Sequence, residues 1–178
     1  MEHLQAYYTS NNGNAEWYTP NYILEKVRSL SPSGVIDLDP FSCETAQRTV
    51  NARYYFTKEQ DAMKQEWPKV DLAFVNPPYS RNLIGEMIDR VVVEYRNGTF
   101  RQAVVLVNNA TETLWFHKLL ETNPAICIFL GRIRFYEPVN TKRGGNTRGQ
   151  IVMYLGEDKD RFVKAFSEFG VCFLNSEF

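Results

Sequence analysis

The 178-residue chain carries 20 Lys and Arg against 21 Asp and Glu, a formal net charge of −1, with 44% hydrophobic and 23% charged residues. These are the values of a globular domain rather than a disordered or repetitive chain, and the length suffices for one core that removes roughly 70% of the unfolded surface from water. Near-neutral charge excludes a protein that holds polyanions by bulk charge, so nucleic acid would have to be met by a local basic patch.

Cys43, Cys127 and Cys172 lie far apart and form no C-x-x-C, and only His3 and His117 stand beside them as further ligands. The pattern predicts neither a metal site nor a disulfide framework. No apolar run approaches the ~18 residues of a membrane span. The N-terminus M-E-H-L-Q lacks the basic-then-apolar order of a signal peptide, so a reducing cytoplasm is the expected compartment.

In chain order, residues 1–14 are polar and end in S-N-N-G-N, which reads as a flexible arm. Residues 15–178 are expected to form a single domain. Thr19 is a good N-cap and Pro20 a favoured first helical residue, so a helix should follow, with Ile23, Val27 and Leu30 on its buried face and Ser31-Pro32-Ser33-Gly34 as its stop. Val35-Ile36-Asp37-Leu38 predicts the first strand. It ends in Asp39-Pro40-Phe41-Ser42-Cys43-Glu44-Thr45, where Asp37 and Asp39 are strand-end carboxylates. Arg53 to Thr57 predicts a short aromatic strand, followed by Lys58-Glu59-Gln60-Asp61-Ala62-Met63, and Trp67-Pro68 closes the connection into the next element.

That element, Asp71 to Val75, is a short apolar run that suits a strand buried on both faces, and it breaks at once into Asn76-Pro77-Pro78-Tyr79. An acceptor side chain therefore stands at the carboxyl end of a buried strand, where open α/β sheets place their ligands. Asn76 offers a side-chain carbonyl and Pro77 a backbone carbonyl, enough to accept both N–H bonds of one planar amino group, while Tyr79 offers a ring for stacking. Such a trio suits chemistry at an exocyclic amine.

Beyond this turn, Ile84, Met87, Ile88, Val91, Val92 and Tyr95 keep a 3.6-residue period that predicts a helix ended by Asn97-Gly98. Ala103 to Val107 predicts another buried strand, leading into Asn108-Asn109-Ala110-Thr111 and a helix through Leu120 that packs Leu114 and Leu119, with Trp115 and Phe116 as core or pocket wall. Ile126 to Phe129 and Gln150 to Leu155 read as late strands, and Phe162, Val163, Phe166 and Phe169 as a final helix. Between the late strands, residues 136–149 contain K-R-G-G-N-T-R-G, the only dense cationic, glycine-rich stretch. If the strand before it runs parallel to the central one, this loop emerges on the edge that carries Asn76.

N-P-P-Y matches motif IV of the amino-methyltransferases that use S-adenosylmethionine, and from about Trp17 to Leu155 the chain resembles the small phage-type DNA N6-adenine methyltransferases. Thr19-Pro20 is similar to the family's motif X, which lies beside the cofactor's methionine end. D-P-F-S-C-E-T is similar to motif I, with Cys43 and Thr45 where the broader pattern has glycines. Asp61 looks like the motif III carboxylate that accepts from the adenine amino group of the cofactor. Thr111 to Phe116 and Gly131 to Phe135 resemble two further signatures.

The resemblance implies an α/β Rossmann-like methyltransferase, with a mostly parallel, doubly wound sheet and a late antiparallel hairpin. It implies methyl transfer from S-adenosylmethionine to adenine N6 in DNA through a flipped-out base, with no metal. The catalytic set would be Asn76, Pro77, Pro78 and Tyr79, and the cofactor set Thr19, Pro20, Asp39, Pro40, Phe41 and Asp61. Arg81, Tyr136, Lys142, Arg143 and Arg148 would contact DNA. Two rivals stay open: the same chemistry on RNA adenine or protein glutamine, and a non-catalytic DNA-binding protein, suggested by the glycine-poor motif I. The sequence specifies neither a recognition sequence nor an oligomeric state.

Overall fold

The computed structural model describes residues 18–79, 83–135 and 148–174. In chain order the elements are α1 (Asn21–Arg28), β1 (Leu38–Asp39), α2 (Glu44–Val50), β2 (Tyr54–Tyr55), β3 (Val70–Val75), α3 (Ile84–Arg96), β4 (Phe100–Asn108), α4 (Leu114–Leu120), β5 (Ala125–Phe129), β6 (Gln150–Leu155), α5 (Lys159–Phe166) and β7 (Gly170–Leu174). The seven strands form one sheet in the order β2-β1-β3-β4-β6-β5-β7.

Its first half is parallel: β2 with β1, β1 with β3, and β3 with β4. Its second half is antiparallel, with β6 between β4 and β5, and β7 outside β5. Because β6 opposes both of its neighbours, β5 runs in the same direction as β4. The expected late hairpin is therefore a three-stranded antiparallel flank, and the glycine-led strand β7 lies beyond the last element expected from the sequence.

Alternation along the strands sorts side chains to two cores, as the period-2 geometry of a strand requires. Ala73, Val75, Ala103, Val105, Val107, Ile151 and Met153 face one core, which α3 and α4 cover with Ile84, Ile88, Val91, Phe116 and Leu119. Leu72, Phe74, Val104, Leu106, Val152 and Tyr154 face the other, covered by Ile23, Leu24 and Val27 of α1, Val50 of α2, and Phe162 and Phe166 of α5. Helices thus lie on both faces, which explains why the central strands are near-continuous apolar runs. The period read in α3 is observed, since Ile84, Met87, Ile88, Val91 and Val92 are all buried and Gly98 (φ +70°) stands past the helix end in the left-handed region.

Three local expectations are corrected. Thr19 does not cap α1: Pro20 occupies that position with extended backbone, its carbonyl accepts from the N–H groups of Ile23 and Leu24, and no side chain caps the helix. Thr19 is one residue too early and its hydroxyl is engaged elsewhere. Leu114 does not pack, being 84% exposed, because the inward face of α4 is taken by Phe116 and Leu119. The first strand begins later than Val35, since Asp37 lies just before β1, where its N–H donates to the Leu72 carbonyl and its own carbonyl accepts from Tyr54.

Candidate active site

β1, β3 and β4 are parallel, so Asp39, Asn76 and Asn108, which close or follow these strands, share the carboxyl edge of the sheet. Asn76 follows Val75 directly. Its amide nitrogen donates to Thr19 Oγ1 at 3.3 Å, and Thr19 is buried to 3% exposure. The hydroxyl that was expected to cap a helix instead orients the acceptor amide, turning Oδ1 away from Thr19.

Pro77 is buried, and Pro78 and Tyr79 are half-buried. The Tyr79 hydroxyl donates to the Leu106 carbonyl of β4 at 3.1 Å, and burial pushes its pKa far above the ordinary tyrosine value. Tyr79 therefore stays neutral. Tyr79→Phe is expected to cost ~1 kcal/mol of stability for the lost hydrogen bond while keeping the ring in place. Urea denaturation monitored by circular dichroism measures the difference.

Beside this turn lies a cleft lined by Pro40, Phe41, Ser42, Phe56, Asp61 and Pro78, among others. Phe41 is fixed edge-to-face on Trp67, with ring centroids 5.9 Å apart. Asp61 adopts a left-handed backbone conformation (φ 56°); its Oδ1 accepts from the Met63 N–H at 3.2 Å and its Oδ2 pairs with Lys64 at 2.7 Å. A carboxylate has about four lone-pair sites, so both oxygens keep acceptor capacity.

Asp39 is buried to 3% exposure at the end of β1. Burial is the dominant influence on its carboxyl group and raises its pKa to about 7, against the opposing pull of hydrogen bonds from Ser42, Phe41 and Gln47. Among the described residues no cation lies within ion-pair distance of it. Gln47 was not foreseen. Its amide nitrogen donates to Asp39 Oδ2 at 2.8 Å and to Ser42 Oγ at 2.7 Å, while its carbonyl accepts from the Ala52 N–H at 2.8 Å. One side chain thus braces the whole turn, and its signal in sequence was only a polar residue between the inward-facing Ala46 and Val50 of a short helix. Asp37 is structural, accepting from the Leu72 N–H at 3.0 Å and pairing with Arg53 at 3.2 Å.

The missing glycines after Asp39 carry no backbone cost. No residue from Asp39 to Thr45 has positive φ; Cys43 is extended (φ −147°) and caps α2, its sulfur accepting from the Ala46 N–H at 3.4 Å. Thr45 lies inside α2, in a conformation open to any residue.

Of the expected DNA contacts, Arg81, Tyr136, Lys142 and Arg143 lie outside the described residues. Arg148 is exposed, one residue before Gly149, whose carbonyl accepts from the Asn109 N–H at 2.8 Å. Gln150 and Asn108 are register partners, and both side chains are buried and bonded to each other at 3.1 Å. The segment thus enters β6 on the edge that carries Asn76, and β5, which precedes it, runs parallel to β4, satisfying the topological condition set by the sequence.

A sequence profile of the DNA N-6-adenine-methyltransferase (Dam) family matches residues 8–168. The chain belongs to this family. No protein with a curated description matches it. The family indicates a transferase that methylates adenine in DNA. Among the described residues, no group of three or more His, Cys, Asp and Glu is placed to hold a metal, and no helix is long and apolar enough to cross a membrane.

Proposed function

We propose that this protein transfers a methyl group from S-adenosylmethionine to N6 of adenine flipped out of duplex DNA, using a Rossmann-like methyltransferase fold. The observation that carries this reading is the shared cleft: Pro40, Phe41 and Asp61 from the cofactor set line it together with Pro78 from the catalytic turn.

The residues present fit such a cofactor. Asp39 is a buried carboxylate whose ionisation would be favoured by an ammonium group, Asp61 is an acceptor for an amino group, and Phe41 and Phe56 are apolar walls for a purine or thioether arm. Thr19 and Pro20 would close the methionine end. When bound, S-adenosylmethionine supplies an electrophilic methyl group on a sulfonium centre.

The chain's own groups supply orientation. Adenine N6 is paired and stacked within a duplex, so the base must leave the helix at a cost of a few kcal/mol. Stacking on Tyr79, worth ~1–3 kcal/mol by analogy with single-strand binders, offsets that cost together with hydrogen bonds to the Asn76 side chain and the Pro77 carbonyl. Those two acceptors hold the amine hydrogens and direct the nitrogen lone pair towards the cleft. No strong base is needed, since the amine becomes acidic only as the methyl group arrives and its proton passes to water or a carbonyl. The cytoplasm is the matching compartment for such a reaction.

The deciding experiment is methyl transfer from isotopically labelled S-adenosylmethionine to unmethylated duplex DNA, with nucleoside digestion and mass identification. N6-methyladenine is the expected product. Label appearing only in RNA or in glutamine side chains would overturn the substrate assignment, and failure to bind the cofactor would leave a DNA-binding protein on a methyltransferase scaffold.

In this reading Lys142, Arg143 and Arg148 meet phosphates, which fix register without reading sequence. Neutralising all three is expected to weaken DNA binding and to lower the slope of log affinity against log salt by about one for each phosphate left without its cation. Fluorescence anisotropy across a salt series measures it, and an unchanged slope returns the loop to ordinary surface.

A further inference from the structure

β7 is the last strand of the sheet, and among the described residues no strand pairs with its outer side. An open edge of this kind offers unpaired N–H and C=O groups, and proteins that must stay monomeric blunt it with charge, proline or a bulge. Gly170–Leu174, G-V-C-F-L, has none of the three, and its pairing with β5 is unbroken over five residues. Its side chains are apolar yet open to solvent: Val171 is 62% exposed, Phe173 50% and Leu174 50%. Ile128 of β5, the register partner of Val171, is itself 41% exposed.

The direction of the free backbone groups follows from one hydrogen bond. The Leu130 N–H donates to the Phe169 carbonyl at 2.8 Å, extending the β5–β7 ladder. In an antiparallel ladder, bonded and non-bonded residues alternate. Phe169, Val171 and Phe173 therefore turn their backbone groups towards β5, and Gly170, Cys172 and Leu174 turn theirs outward.

We infer that β7 is a self-association edge, on which a second copy of this chain adds its own β7 antiparallel across a two-fold axis at Cys172. That register is self-complementary. Cys172 meets Cys172 of the second copy, and Gly170 meets Leu174, so each outward-facing N–H finds an outward-facing carbonyl. Val171 falls beside Phe173 of the other copy on the same face, an aromatic against a β-branched side chain, which is a favourable cross-strand pair. Glycine at position 170 is required within the chain itself, since a Cβ there would lie 1.9 Å from the Ile128 carbonyl oxygen of β5.

The area sets the strength. Five residues of edge strand from each copy remove on the order of 900 Å² from water, below the roughly 1,200 Å² at which stable interfaces begin, so a weak, reversible dimer is expected. The axis runs perpendicular to the sheet, so the two carboxyl edges bearing Asn76 point in opposite directions and each site serves its own duplex.

Sedimentation velocity of the full chain over a wide concentration range tests the inference. The expected result is a shift from the 20.7 kDa monomer to twice that mass. Phe173→Lys, which places a charge on an already exposed position remote from Asn76, is expected to stay monomeric while keeping its specific methylation activity. Amide hydrogen exchange of the unaltered protein is a second readout: the N–H groups of Gly170, Cys172 and Leu174 should gain protection as concentration rises. A wild-type chain that remains monomeric throughout, a dimer that survives Phe173→Lys, or exchange at these three amides that ignores concentration would each overturn it.

Discussion

Asn76→Ala is expected to lower methyl transfer by about 10²- to 10³-fold, the size found when one preorganised polar group is removed from a reacting centre, with binding of S-adenosylmethionine little changed. The separation follows from position. Asn76 follows the central strand β3, is absent from the lining of the cleft that Pro40, Phe41 and Asp61 share, and donates from its amide to Thr19. Thr19→Val removes that orienting partner and leaves the acceptor, so a smaller loss in turnover is expected. Single-turnover kinetics with labelled cofactor, alongside calorimetric titration of the cofactor, distinguish the two effects. Turnover unaffected by Asn76→Ala would remove this residue from the chemistry.

Asp39→Asn is expected to weaken S-adenosylmethionine binding by at least about 10-fold, the loss of a charged hydrogen-bonding partner, while making the apo protein more stable at neutral and alkaline pH. The carboxyl group ordinarily releases its proton near 3.8 but holds it to about 7 in the folded chain, because burial disfavours the charge. Between those values the folded state binds more protons than the unfolded one. Stability contributed at this site is therefore complete below about pH 4, declines as pH rises, and is lost above about 7. The asparagine variant has no such slope, so its advantage should be absent at pH 4 and grow to roughly 4 kcal/mol by pH 8. Thermal unfolding of both proteins across this range measures it. Cofactor affinity of the native chain should move the opposite way, rising with pH as Asp39 ionises, since an ammonium partner favours the carboxylate.

What the sequence revealed depended on how local the physics was. The turn at Asn76-Pro77-Pro78-Tyr79 was legible because an apolar strand and two prolines leave its backbone little choice. The face of α3 was legible because six apolar residues kept one period across three turns. The partners of those residues were hidden, since Thr19 and Asn76 are 57 positions apart and are brought together only in the fold, where α1 packs on the face of the sheet. Gln47 escaped notice for the same reason: its hydrogen bonds radiate from a seven-residue helix that carries too little periodicity to mark an inner face. β7 was missed because a five-residue segment with exposed valine and phenylalanine shows no alternation of polar with apolar residues. The replacement of glycine by Cys43 and Thr45 costs no backbone strain, because the chain there never enters the left-handed region.

The adjacency of β5 and β6 bears on how freely the connection between them can change in length. Ile128 and Ile151 are paired neighbours, so the chain leaves the sheet after one of them and returns to the other across a single strand spacing. Closing a loop between fixed, adjacent ends costs entropy that grows only logarithmically with its length, ~0.6 kcal/mol for each doubling. Insertions and deletions at this hairpin mouth are therefore nearly neutral for folding.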